Sequence, residues 1–370
     1  MSGRIEPVVM PKWGLAMQEG TLARWHVAEG VEVAPGRELC DIETAKIANA
    51  FEGAVAGRLR RRVAGEGAVL PVGALIAVVA DDSVPEAEID AFVAQFQANF
   101  VPVGPDEAET PAPRTIRVGG RALNYLALGA GGTPVLFLHG FGGDLNNWMF
   151  NQPVLAETRA TLALDLPGHG ASGKDAGDGS PATLAAAVAG FLDGLGVERA
   201  HLVGHSLGGA VALVLALDRP DACASLTLIA SAGLGREIDG SFIDGFIAAA
   251  GRKDLKPQIE KLFADPTLVT RDLVDDVLKF KRLDGVGAAL KAIAAAAFPG
   301  GAQGLILRDR LAGLAVPVQV IVGAHDRIIP PGHAEGLPAA VAVHRIAAAG
   351  HMPQMEAAGE VNRLIAALAA

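Results

Sequence analysis

Cysteine is nearly absent: two residues in 370, Cys40 and Cys223, too far apart in sequence to describe a disulfide-stapled scaffold. Aromatic residues are also scarce at 5%, with a single tyrosine, and the positive mean hydropathy comes from diffuse Ala, Val and Leu. The chain is nonetheless 51% hydrophobic, enough for more than one domain core at this length. No run reaches the roughly 18 apolar residues of a membrane span, and neither glycine nor proline follows a collagen period. The opening stretch MSGRIEPVVMPKWG lacks the continuous apolar segment of a secretory signal, and a reducing cytoplasm is the expected compartment. No residues are spaced as zinc ligands, so no metal site is expected. Positive charge is in deficit, 31 Lys and Arg against 41 Asp and Glu, which argues against a nucleic-acid surface.

The deficit is concentrated. Residues 1–80 are balanced, residues 81–115 carry a net −7, and the remainder carries −3. An acidic connector therefore separates two larger segments, 1–80 and 114–370, and occupies about 81–113. The basic patch Arg58, Arg60, Arg61 and Arg62 falls in a strand-like stretch, where it reads as a solvated or partner-facing edge.

The first segment reads as short strands punctuated by glycine, at about 20–27, 38–42, 47–51, 54–59 and 74–79. A weak repeat runs through it: Gly30, Val33, Gly36 and Leu39 have the spacing of Gly67, Leu70, Gly73 and Ile76. Two similar halves that interleave around one small core would produce that pattern. Between the halves, Glu43-Thr44-Ala45-Lys46 places a lysine between two apolar runs, at the tip of a hairpin. By itself this means little, because lysine is common at exposed turns. With Glu19-Gly20, Glu29-Gly30, Phe51-Glu52-Gly53 and the glycine repeat around it, however, the segment resembles the lipoyl domain of 2-oxoacid-dehydrogenase-type complexes. The resemblance implies lipoic acid covalently attached to Lys46. Ala45 stands where that family more often has aspartate; the related biotinyl domains place methionine on both sides of their lysine, and Ala45 and Ile47 are not methionines.

In the connector, Pro85 suits the first turn of a helix, with Ser83 or Val84 close to its cap, and Ile89, Phe92, Val93, Phe96 and Phe100 recur at helical spacing. Packing of this stripe on the following domain is the expectation, with docking on a partner as the alternative. Four prolines between 101 and 114 then suggest a stiffened linker.

From residue 114 onward, apolar strands alternate with helices, which implies a mostly parallel sheet covered on both faces. Residues 235–310 interrupt the alternation with helical material, as a cap over the carboxyl edge of the sheet would. The chemical signal is Gly204-His205-Ser206-Leu207-Gly208, lying between a strand and a helix. Only small residues fit two positions either side of a nucleophile held on so sharp a turn. Ser206 is thus the candidate nucleophile, with the amide of Leu207 as one half of an oxyanion hole. His139-Gly140-Phe141-Gly142-Gly143 follows an earlier strand, and the Phe141 amide can supply the other half. His139 is expected to brace that loop, His205 to support the pocket, and Asp165 to stabilise its own turn. Asp326, in Gly323-Ala324-His325-Asp326, and His351, in Gly350-His351-Met352-Pro353, each follow a strand in the order acid then base. Asp326 would hold one ring nitrogen of His351 and leave the other free for Ser206. Glu237 and Asp239 are substitute candidates for the acid.

Residues 114–370 resemble an α/β hydrolase with a helical cap, and the expected whole is a small all-β lipoyl domain joined to that fold. The fold alone does not select a reaction. The order lipoyl domain, acidic connector, α/β-hydrolase domain resembles the E2 subunits of acetoin dehydrogenase complexes. That resemblance implies an acetyltransferase moving acetyl from S-acetyldihydrolipoyl-Lys46 to coenzyme A, with a thiamine-diphosphate E1 and an FAD-dependent E3 as partners. Homo-oligomerisation is compatible with it; nucleic acid and membrane are not expected partners. Ordinary E2 subunits end in a domain with a His-x-x-x-Asp-Gly signature, which this chain lacks. The basic residues Arg252, Lys253, Lys256 and Lys261 of the cap are candidates for meeting the phosphates of coenzyme A. A carrier-tethered thioesterase or esterase, and a non-catalytic scaffold presenting the lipoyl arm to E1 and E3, stay open as alternatives.

Overall fold

The computed structural model describes residues 4–13, 17–44, 48–102 and 111–370, and its chain divides into two compact units, Met1–Thr110 and Pro111–Ala370. Among the described residues no helix is long and apolar enough to cross a membrane, and no group of His, Cys, Asp and Glu is arranged to hold a metal.

The first unit contains β1 (Ile5–Val9), β2 (Glu19–Trp25), β3 (Glu32–Val33), β4 (Glu38–Glu43), β5 (Ala48–Glu52), β6 (Gly57–Arg62), β7 (Val69–Pro71) and β8 (Leu75–Ala80). They pair antiparallel in two four-stranded sheets, β1-β8-β6-β3 and β5-β4-β2-β7. Each sheet takes two strands from each half of the sequence repeat, so the halves do interleave. The repeat has a conformational cause: Gly30, Gly36, Gly67 and Gly73 all adopt φ between +82° and +84°, the left-handed region where a side chain is disfavoured. Leu22, Leu39, Ile42, Leu59 and Ile76 are fully buried between the sheets. Burial also pushes the Cys40 thiol up to about 12, so this cysteine is a core residue rather than a nucleophile.

Three expectations differ from the structure. The fourth strand lies at Gly57–Arg62 rather than 54–59, so the arginines are strand residues. They are also not a free edge. Arg58 pairs with Asp82 at 2.5 Å, Arg60 with Glu86 at 2.6 Å, and Arg61 with Glu86 at 3.0 Å and Asp90 at 2.5 Å. Arg62 lies 5.2 Å from the Trp25 ring centroid. The acidic start of the connector thus neutralises the basic strand of its own unit. Helix α1 (Glu86–Asn99) begins immediately after Pro85, which is the N-cap. Its apolar stripe is buried within its own unit, where packing on the following domain was expected. Ile89, with Phe92, Val93 and Phe96, packs on Leu75, Val78 and Ala80 of β8.

The second unit opens with the hairpin β9 (Arg114–Val118) and β10 (Arg121–Leu128). It continues through β11 (Val135–Leu138), α2 (Gln152–Ala156), β12 (Thr161–Leu164), α3 (Pro181–Gly194), β13 (Ala200–His205), α4 (Leu207–Asp218) and β14 (Cys223–Ile229). Four helices follow, α5 (Gly240–Ala248), α6 (Arg252–Glu260), α7 (Arg271–Lys281) and α8 (Val286–Ala297). Then come β15 (Val318–Gly323), β16 (Val341–Ile346), α9 (Pro353–Glu356) and α10 (Ala358–Leu368). The sheet has the order β16-β15-β14-β13-β11-β12-β10-β9, parallel from β12 through β16 and antiparallel at β9 and β10. Strands β11, β13, β14 and β15 are almost entirely buried, as a sheet covered on both faces requires. Helices α3 and α4 pack together against the sheet, and α2 and α10 form a second contacting group. The loops after β11, β13, β15 and β16 leave from neighbouring carboxyl ends, which gathers residues distant in sequence at one rim.

Candidate active site

Ser206 sits between β13 and α4 with φ 52° and ψ −117°, a conformation unusual for a residue with a side chain. The surrounding glycines allow it. A Cβ on Gly204 would lie 2.3 Å from the Gly208 carbonyl oxygen, and one on Gly208 would lie 2.2 Å from that of Leu138. No side chain fits either place, so the steric reading of the pentapeptide agrees with the backbone.

His351, which lines the same cleft as the serine, is buried, and its Nδ1 lies 2.8 Å from Oδ2 of Asp326. A carboxylate only accepts, so Nδ1 carries the hydrogen of this bond, and Nε2 is the ring nitrogen it leaves free. The other Asp326 oxygen accepts from the amides of Ile328 at 2.8 Å and Ile329 at 3.0 Å, which holds the carboxylate in place. Glu237 and Asp239, the substitute acids, are engaged elsewhere. Glu237 meets His333 at 2.8 Å, while Asp239 caps α5 and pairs with Lys261 at 2.9 Å.

His205 hydrogen-bonds through Nε2 to the carbonyl of His351 at 2.7 Å, with the two rings 4.8 Å apart. A carbonyl cannot donate, so Nε2 carries the hydrogen. Burial and the neighbouring His351 hold this histidine well below its ordinary pKa and therefore neutral. It supports the main chain of His351, as expected of a pocket-bracing residue.

The loop after β11 is fixed by two more neutral rings. His139 donates from Nδ1 to the Gly140 carbonyl at 2.8 Å and accepts the Leu166 amide on Nε2 at 3.0 Å. His169, which sequence reasoning passed over, accepts the Gly142 amide at 3.1 Å. Burial lowers the pKa of both, most strongly at His169. The Gly143 amide turns back to the Gly140 carbonyl at 3.1 Å. Of the three successive amides 141–143, those of Gly142 and Gly143 are thus spent. Among the described residues the amides of Phe141 and Leu207 donate to no protein acceptor. Asp165 accepts from Leu145, Asn124 and Ala171 at 2.7–2.8 Å, a turn-stabilising role as expected.

Ser206, His205, His351 and Phe141 line one cleft with about 690 Å³ of empty space, counting the part open to solvent. Its other walls are mainly apolar, with Phe242, Phe246, Leu273, Val277 and Phe298 from the cap region and Met352 and Met355 beyond the histidine. Among the described residues no lysine or arginine lines it. The cap cations are largely paired in place: Arg252 with Asp275, Lys256 with Glu260 at 3.3 Å, and Lys261 with Asp239. That pairing reduces the field expected from the cluster.

Lys46 and its neighbours Ala45 and Ile47 lie outside the described residues. The strands on either side are paired up to Glu43 opposite Ala48, so a regular hairpin leads to and from the segment that carries the lysine. This framing fits an attached arm, which needs a firm base in the sheet.

The comparisons with known proteins match both units. A family model described as the alpha/beta hydrolase fold matches residues 133–358, and one described as biotin-requiring enzyme matches residues 6–79. The solved meta-cleavage product hydrolase from Pseudomonas fluorescens IP01 is similar in fold, with TM-score 0.63 and 22% identity over 69% of this chain and 96% of its own. The chain is therefore an α/β hydrolase preceded by a biotin- or lipoyl-type domain. Over nearly its full length it is similar to two dihydrolipoyllysine-residue acetyltransferase components of acetoin cleaving systems. The one from Pseudomonas putida is 51% identical over 97% of both chains, and the one from Cupriavidus necator is 46% identical over 99% of this chain and 97% of its own. The chain belongs to that family.

Proposed function

We propose that the chain transfers an acetyl group from a dihydrolipoyl thioester carried on Lys46 to coenzyme A, through a covalent acetyl-Ser206. The observation that carries this reading is the His351–Asp326 bond at 2.8 Å in the cleft that a strained Ser206 also lines, in a chain that also has its own carrier-type domain. The lipoyl group, when attached, supplies a thiol that delivers the acetyl as an activated thioester. Ser206 Oγ attacks that carbonyl as its proton passes to His351 Nε2, and Asp326 stabilises the resulting imidazolium. The amides of Phe141 and Leu207 meet the oxyanion. The carbon–sulfur bond breaks and His351 returns the proton to the departing sulfur. His351 next removes the proton of the coenzyme A thiol, whose sulfur attacks the acetyl-serine; Ser206 Oγ leaves and recovers the proton. The apolar cleft limits water at the acyl-serine, which favours a thiol over hydrolysis. The partners implied are an E1 that loads the arm and an E3 flavoprotein that reoxidises its dithiol.

Ser206→Ala should lower coenzyme A-dependent acetyl transfer by at least about a thousandfold, in keeping with loss of a triad nucleophile. Rapid-quench mass spectrometry of the wild-type protein should show a transient acetyl increment at Ser206. Transfer by the variant at near the wild-type rate contradicts the mechanism.

A further inference from the structure

The end of helix α6 touches the loops of both His351 and Asp326. The His351 amide donates to the Leu262 carbonyl at 2.8 Å. Arg327, adjacent to Asp326, donates through Nη2 to the carbonyls of Glu260 and Phe263, both at 2.7 Å. Glu356 joins the two sides with one carboxylate: Oε1 accepts the Ala264 amide at 2.6 Å, and Oε2 accepts those of Gly350 at 2.8 Å and Met352 at 3.3 Å. The peptides before and after His351 are therefore held by the same group that holds the cap segment. The approach is close enough that a Cβ on Gly350 would lie 2.6 Å from the Ala264 nitrogen. Leu262 and Phe263, on the clamped segment, also line the cleft. Burial raises the pKa of Glu356 although its three amide partners oppose the shift, a cost that a dispensable surface carboxylate would not carry.

We propose that Glu356 is a positioning residue: it fastens the backbone on both sides of His351 to cap segment 262–264, so the imidazole is aligned with Ser206 only while that segment is seated. Glu356 does not line the cleft and acts through His351. A substrate that presses on Leu262 or Phe263 is thereby coupled to the base by two hydrogen-bonded strands of chain rather than by contact with it. The inference rests on the reading of Ser206 as the nucleophile activated by His351.

The test uses the full chain and Glu356→Gln, which keeps the shape of the side chain but turns an amide donor toward backbone donors. Acetyl transfer from S-acetyldihydrolipoamide to coenzyme A gives kcat and KM, and a fluorophosphonate probe gives the rate of Ser206 labelling. The expected result is a fall in kcat of about ten- to a hundredfold, as misplacement of a catalytic group produces, with labelling falling in parallel and KM within about threefold. Wild-type kcat in the variant, or a loss confined to KM, overturns the proposal. If Glu356→Gln does not fold, Arg327→Met cuts the parallel tie at an exposed residue; kcat should then fall about three- to tenfold at constant KM, and an unchanged kcat overturns the coupling. Failure of the probe to label wild-type Ser206 overturns the nucleophile reading itself, whereas labelled wild type with an unaffected variant overturns only the role of Glu356.

Discussion

His139, His169 and His205 are buried as neutral rings, and each is held so by backbone groups that fix which nitrogen bears the hydrogen. The consequence is a direction for pH dependence. An unfolded chain protonates its histidines near pH 6.5, while these three stay neutral in the native state to lower pH, so the unfolded state gains protons first. Stability is full above that range and falls as the pH drops below it, by up to about 1.4 kcal/mol per pH unit for each ring. Urea midpoints of the wild type should decline between pH 7 and 5.5, and His169→Gln should show a shallower decline from a lower start. A flat midpoint over that interval contradicts the neutral assignment. The placement of Ser206, Asp326 and His351 after strands was legible from sequence, because β13, β15 and β16 are short, largely apolar runs. His169 and Glu356 were not, because they act on backbone amides that only folding brings near them. The preference for Asp326 over Glu237 was legible from chain order, but the hydrogen bond with His333 that occupies Glu237 was not.

At the scale of elements, helical spacing in the connector announced an amphipathic helix but no single motif named its seat. The signal was present in two separate facts, an excess of acid at 81–90 and four arginines between 58 and 62, which became one fact when β6 was found beside the start of α1. Side-chain periodicity reports which face of a helix is buried but not against what. The glycine repeat, by contrast, was legible because left-handed turns restrict the residue type directly. The energetics of this seat separate cleanly. Ile89 is completely buried, and Ile89→Ala should cost the first unit about 2–4 kcal/mol. Arg61 is partly exposed and faces acids that are more than half exposed, so Arg61→Ala should cost no more than about 1 kcal/mol and lose that effect in high salt. Thermal unfolding of the two variants at low and high salt measures both. Equal losses would mean that charge rather than burial seats the helix.

Over the whole molecule, a carrier-type unit and a hydrolase-type unit occupy one chain, and neither explains the other's presence alone. A hydrolase elbow is compatible with many acyl reactions; a lysine between paired strands has no chemistry until an arm is attached. In the proposed function their combination supplies a donor and an acceptor site within one polypeptide. Lys46 should carry a lipoyl mass increment when the protein is made in cells with a working lipoylation system, and Lys46→Arg should remove it. An unmodified wild-type chain from such cells contradicts the carrier assignment. Lys46→Arg should leave transfer from free S-acetyldihydrolipoamide intact, since Ser206 and His351 belong to the other unit.

The central claim is that the acyl group on Ser206 passes to a thiol rather than to water. Its most direct test is to supply the purified, lipoylated chain with S-acetyldihydrolipoamide and millimolar coenzyme A, and to follow acetyl-CoA and free acetate in the same reaction. Acetyl-CoA should be the dominant product, with both products abolished by Ser206→Ala. Acetate in excess at saturating coenzyme A would mark the chain as a tethered thioesterase, and the absence of both products would mark it as a scaffold; either result contradicts the claim.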